Sequence, residues 1–148
     1  MRLAFLFPLA LVVAACGSAT AAQPSGKAPA AGSNGPPPAW IETKAGNRWL
    51  GFSSYCWSHR KGSGSTGVCA DMAAPKCSQR SVPNLSVETG ERVRAHLGYK
   101  PKEASVETAD TKLKGRIVVW RISRPGPFLL FTRGRGGDAT YTGCAVLP

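Results

Sequence analysis

The stretch Tyr55–Asp71, YCWSHRKGSGSTGVCAD, admits two opposed readings that lead to different folds. Its glycines Gly62, Gly64 and Gly67 fit G-x-G-x-x-G, the spacing of a phosphate cradle. Its cysteines, Cys56 and Cys69, bracket the same glycines and would tie off a basic, glycine-rich loop. A dinucleotide cradle needs a buried strand before the glycines and a helix directly after them, so that the pyrophosphate meets the helix N-terminus. Here the last glycine is followed by VCADMAAPKC, with Pro75 inside it and no amphipathic helix of useful length, and no lysine stands in the P-loop position. The stretch is therefore read as a stapled loop, and no cofactor is expected.

That reading depends on export to an oxidising space. Residues 1–15, MRLAFLFPLALVVAA, carry one basic residue, Arg2, followed by an apolar run broken only by Pro8. The run is about half the roughly 20 residues a membrane-spanning helix needs, which fits a secretory signal. Val13-Ala14-Ala15-Cys16 resembles the lipobox of bacterial lipoproteins. The resemblance implies acylation of the Cys16 thiol and cleavage just before it, leaving Cys16 as the lipid-bearing N-terminus. The protein is then expected on the outer side of the cytoplasmic membrane, or in the outer membrane of a host that has one. Residues 16–39 follow as a stalk of Ala, Gly, Ser and Pro with the single charge Lys27. Such a segment buries too little apolar surface to offset chain entropy, and disorder is expected. The domain is assigned to residues 40–148.

With Cys16 given to lipid, Cys56, Cys69, Cys77 and Cys144 remain. An even remainder in an exported chain reads as two disulfides, with three pairings available. We favour Cys56 with Cys69, which pins the neck of the glycine-rich segment, and Cys77 with Cys144, which lie in segments with no other apparent partner. Cys56 with Cys144 and Cys69 with Cys77 stays open at this point. No C-x2-C pair occurs, so zinc is not expected.

From Leu85 onward the chain alternates. In ERVRAHLG, Val93, Ala95 and Leu97 fall on one side and Arg92, Arg94 and His96 on the other, the period of a half-buried strand. EASVETA repeats the pattern, with Ala104 and Val106 inward. RIVVWRI, FLLFT and ATYTGCAVL are further strand-like runs, the last two forming a terminal hairpin across RGRGGD. WLGFSSYCW and TGVCAD bring the count to seven or eight short strands without a helical repeat. The expected fold is all-β: a small antiparallel sandwich, Ig-like or similar. Trp40, Trp49, Trp57 and Trp120 are assigned mostly to the core, with Trp57 packing on the disulfide at Cys56.

The segments YCW (Tyr55–Trp57), CAD (Cys69–Asp71) and the Gly137–Tyr141 hairpin resemble small bacterial lipoproteins and secreted proteins that share a Y-C-W to C-A-D signature. The resemblance implies a β-rich domain with the Cys56–Cys69 bridge, and it implies no activity. Cys77 and Cys144 read as an addition in this chain, which favours pairing them together.

Catalytic constellations are not apparent. The eight acids are scattered: Glu88 and Glu91 flank a turn at Gly90, where exposed charge is expected, and Asp71 is assigned a bond to nearby backbone amides. His59 and His96, the two histidines, have basic neighbours. Neither H-E-x-x-H nor a plausible G-x-S-x-G elbow occurs, so no enzyme is expected. Charge is the stronger signal. The domain carries 17 basic and eight acidic side chains, a formal +9, and seven cations (Lys112, Lys114, Arg116, Arg121, Arg124, Arg133 and Arg135) follow one another with no acid between them. Such a field attracts polyanions. At a bacterial envelope these are anionic lipid headgroups and cell-wall polymers, and the expected function is a non-enzymatic binding module for one of them. The alternative is a structural or protein-interaction module that meets an envelope protein and carries its charge incidentally. RGRGG is read as a turn, not as a nucleic-acid-binding segment.

Overall fold

A computed structural model describes residues 21–107 and 109–148. The signal segment and Cys16 lie outside the described residues. Among these there are eleven strands and no helix: β1 (Ala39–Thr43), β2 (Gly46–Trp49), β3 (Gly51–Lys61), β4 (Gly64–Ala70), β5 (Asn84–Ser86), β6 (Arg92–Leu97), β7 (Glu103–Val106), β8 (Lys112–Lys114), β9 (Ile117–Arg121), β10 (Gly126–Gly134) and β11 (Gly137–Val146). They form two sheets, a five-stranded one ordered β2-β1-β6-β9-β8 and a six-stranded one ordered β4-β3-β11-β10-β7, with β5 against β11. The fold is a small β-sandwich, as alternation and the absence of a helical period predict. Every pair is antiparallel except β5 with β11, which takes up the edge at Cys144–Val146 after β3 leaves it at Thr142.

The alternation read in β6 holds. Val93, Ala95 and Leu97 join one core with Ile41, Val118 and Trp120 of the same sheet and Trp57, Leu130 and Tyr141 of the other. Trp120 meets Phe128 edge-on across the sandwich at 5.5 Å. Val106 points inward on β7, with Ser105 outside.

Three expectations change. WLGFSSYCW is not one strand: the chain passes from one sheet to the other at Leu50, which is fully buried and donates its amide to Ala39 O at 2.9 Å. Gly51 makes the corner because a β-carbon there would lie 2.1 Å from Ser81 O. The terminal hairpin turns in two residues, Arg135 and Gly136, not six, and pairs continuously from Gly126↔Ala145 to Gly134↔Gly137. The stapled loop is a hairpin, paired to its tip at Lys61↔Gly64 around Gly62 and Ser63. Gly62 has φ +62°, and glycine first in a two-residue turn suits the twist of paired strands. Gly62, Gly64 and Gly67 thus lie on a turn and a strand, without the helix N-terminus that a cradle requires.

Both favoured disulfides are present. Cys56 and Cys69 are directly opposed, with Cα atoms 4.1 Å apart, and Cys77–Cys144 ties the segment after β4 to β11 at 5.3 Å. Trp57 does not pack on the first bridge. Neighbouring strand residues face opposite ways, so Cys56 is exposed while Trp57 is buried against Tyr99, with ring centroids 4.8 Å apart. Gly136 fits under its indole, where a β-carbon would come within 2.3 Å.

Residues 21–38 carry no strand. Several domain side chains donate to their carbonyls: Tyr141 Oη to Pro37 O at 2.7 Å, Tyr55 Oη to Ala31 O at 3.0 Å, and Trp49 Nε1 to Gly26 O at 3.3 Å.

Candidate anion-binding face

The outer face of the five-stranded sheet gathers charge that the sequence distributes. Because Val93, Ala95, Val118 and Trp120 face the core, their neighbours on β6 and β9 face outward. Register then aligns Arg92 with Arg121, Arg94 with Val119 and Lys112, and His96 with Ile117 and Lys114. A groove of about 690 Å³ lies on this face. Arg92, Arg94, Lys112, Lys114 and Arg121 line it around an apolar strip of Ile117 and Val119, and Asp110 is the one acid of its lining.

Among the described residues Arg92, Lys112, Lys114 and Arg121 have no carboxylate within 4.0 Å. Arg121 Nη1 donates to Gly90 O at 2.8 Å, which fixes the guanidinium. Arg94 is shared with Glu42 at 3.2 Å. Arg92 and Arg121 are directly opposed on adjacent strands, an arrangement of like charges that costs stability.

Beyond Arg94 the same face carries aromatic rings on β6, β1 and β2. Trp40 lies flat on His96, with centroids 3.8 Å apart and planes 2° from parallel, and Trp49 pairs with Trp40 on the next strand. Trp40 is thus buried on the outer face, not in the sandwich core. His96 Nε2 lies 3.2 Å from Glu42 Oε2, so one carboxylate serves both His96 and Arg94.

The seven cations of the sequence run separate. Lys112, Lys114 and Arg121 meet in the groove. Arg116 sits at the β8–β9 turn and Arg124 in the loop after β9. Arg133 is on the other sheet, bound to Asp138 at 2.9 Å and near Glu103 at 3.6 Å. The hydrogen bond that Arg133 donates to Asp138, then the charge of that carboxylate, raise the Arg133 pKa above its ordinary value. Arg135 tops the β10–β11 turn. Arg92 and Arg94 are the members that sequence reading left out of the cluster; the alternation RVRAH put them on a polar face, but only the β6–β9 register brings them to Lys112 and Arg121.

The remaining candidates disperse. His59 pairs with Thr66 beyond the disulfide, while Asp71 lies at the foot of the same hairpin. Asp71 accepts from Ser54 Oγ at 2.9 Å, not from a backbone amide; Met72 N donates to that hydroxyl at 3.1 Å. Glu88 is exposed and pairs with Lys44 at 2.6 Å. Glu91 departs from the expected exposed turn acid and is buried, accepting Lys44 N at 2.6 Å and Glu88 N at 2.9 Å. Among the described residues no three His, Cys, Asp or Glu side chains gather at one point.

Fold and face together define a disulfide-linked β-sandwich with one strongly basic sheet surface. Compared with protein-family models, curated proteins and solved structures, the chain matches none.

Proposed function

We propose that the protein is an exported, lipid-anchored binding module without enzymatic activity, which holds an anionic component of the bacterial cell envelope on the outer face of its five-stranded sheet. One observation carries the reading: five cations from three strands surround a single groove, and two of them stand directly opposed, an arrangement of like charges that costs stability. Polyanions bind such a surface by releasing counterions, and the binding weakens steeply with salt. A lipid on Cys16, joined to β1 through a segment that the domain holds at Gly26, Ala31 and Pro37, would keep the face near headgroups and cell-wall polymer.

The test is retention of the full-length chain on a soluble anionic polymer and on anionic vesicles at low ionic strength, against neutral vesicles. Retention that disappears as salt rises supports the proposal, and its absence on every anionic support refutes it. A second reading, a protein-contact module, draws on Phe131, which is 41% exposed on the outer face of the other sheet between Ser105 and Thr140. On that reading Phe131→Ser disturbs function while charge reversal at Lys112 and Lys114 does not.

A further inference from the structure

A second groove, of about 790 Å³, opens on the other side of β8. Its walls include Lys100, Lys102 and Arg135 with the rings of Trp57 and Tyr99, and no carboxylate lines it. It is built on fixed residues. The Tyr99 hydroxyl contacts Thr132 Oγ1, and since that oxygen donates to Ala139 O at 2.7 Å, Tyr99 is the donor between them. Lys102 N donates to Arg133 O at 2.7 Å, and Pro101 is buried. The lysines therefore extend from a segment pinned at both ends.

The two grooves share one strand. Lys112 and Lys114 line the first, and Leu113 between them lines the second. Alternate residues of a strand face opposite ways, so the grooves lie on opposite sides of β8. β8 is the last strand of its sheet and only three residues long, which leaves a low ridge between two cationic troughs.

We propose that the second groove is a further anion subsite, and that the ligand is a linear polyanion crossing β8 from one groove to the other. The inference rests on the function proposed above and narrows it from any anionic surface to a flexible chain. A planar bilayer cannot meet both sides of one strand at once, whereas a polymer can fold over a three-residue edge. Tyr99, its hydroxyl already committed to Thr132, offers a ring face and leaves polar recognition to Lys100, Lys102 and Arg135.

Inorganic tripolyphosphate and long-chain polyphosphate serve as probes of one chemistry and two lengths, titrated into the full-length chain at low salt. The long chain should bind at least about ten-fold tighter than tripolyphosphate and show a steeper loss of affinity with salt. Lys100→Gln/Lys102→Gln/Arg135→Gln should abolish that length preference and leave tripolyphosphate binding at the first groove unchanged. Lys102→Gln alone, a single change at an exposed position, should move the preference the same way. If the triple variant, melting as the parent does, keeps the full preference for the long chain, the crossing is refuted while the first groove stands. If Lys112→Gln/Lys114→Gln leaves tripolyphosphate binding intact, or neither probe binds, the underlying functional reading fails as well.

Discussion

Glu91 shows how one buried carboxylate organises a corner of the sandwich. Its two oxygens accept the amides of Lys44, in the β1–β2 turn, and Glu88, before β6, so it joins segments 47 residues apart. Hydrogen bonds to a charged group contribute about 1.5–3 kcal/mol each, and an orphaned buried amide adds its own cost. Glu91→Ala is therefore expected to destabilise by about 3 kcal/mol in chemical denaturation, while Glu88→Ala, which breaks an exposed pair, should stay within about 1 kcal/mol. Equal effects would contradict the burial of Glu91. Tyr141 makes a second such tie, its hydroxyl reaching Pro37 from the centre of the core. Burial raises the pKa of Tyr141 far above its ordinary value, and burial likewise raises that of Tyr99. A tyrosine with a raised folded pKa contributes stability that is fully present below the unfolded value near 10 and is lost as pH climbs from there toward the folded value. Stability should hold between pH 7 and 9 and then fall, by up to about 1.4 kcal/mol per pH unit for each tyrosine. Tyr141→Phe should flatten that descent, which pH-dependent melting would reveal.

The two disulfides act on different elements and should differ in effect. Cys56–Cys69 closes a hairpin that is already paired from Tyr55 to Lys61, whereas Cys77–Cys144 joins a segment without strands to the central strand β11 across a sequence separation of 67. The chain-entropy estimate is about 3 kcal/mol for the shorter loop and about 4 for the longer. Replacing Cys77 and Cys144 by serine should therefore cost more than replacing Cys56 and Cys69, as measured by urea denaturation, and the reverse order would contradict this account. The strands that could be read from sequence are β6 and β7, by their period of two, β9, β10 and β11, by their strand-like apolar runs, and β4 with the first part of β3. Those that could not be read exist through distant partners. β5 and β8 are three residues each, β2 (GNRW) has no apolar face, and β1 buries Ala39, Trp40 and Ile41 consecutively because Trp40 is covered from outside by His96. The corner at Leu50–Gly51 depends on Ser81, thirty residues away, and no local pattern announces it. The candidate face divides the same way: Lys112, Lys114 and Arg121 were visible as one run, while Arg92 and Arg94 needed the β6–β9 register. Lys112 and Lys114 also guard an open sheet edge against pairing with another chain. Glutamate at those positions preserves that protection and reverses the sign of charge, so it separates the two roles.

Across the molecule, cations differ in how they are partnered. On the six-stranded sheet Arg133 is matched by Asp138 and Glu103, and the exposed surface there includes Phe131 and Ser105 beside the half-buried Thr140. On the five-stranded sheet five cations, Arg48, Arg92, Lys112, Lys114 and Arg121, lack a carboxylate partner among the described residues, and four of them line the groove. A net charge of +11 alone would draw any anion weakly and without preference for place. A site, by contrast, depends on where the charge lies. The central claim is therefore tested most directly by two triple reversals of equal charge, Arg92→Glu/Lys112→Glu/Lys114→Glu on the face and Arg60→Glu/Lys76→Glu/Arg80→Glu elsewhere, compared by the salt needed to elute each full-length chain from an anionic polymer column. The face variant should elute at much lower salt than its equally charged counterpart, which should stay close to the parent. Coincident elution of the two variants would show that binding follows total charge and that the groove is not a site.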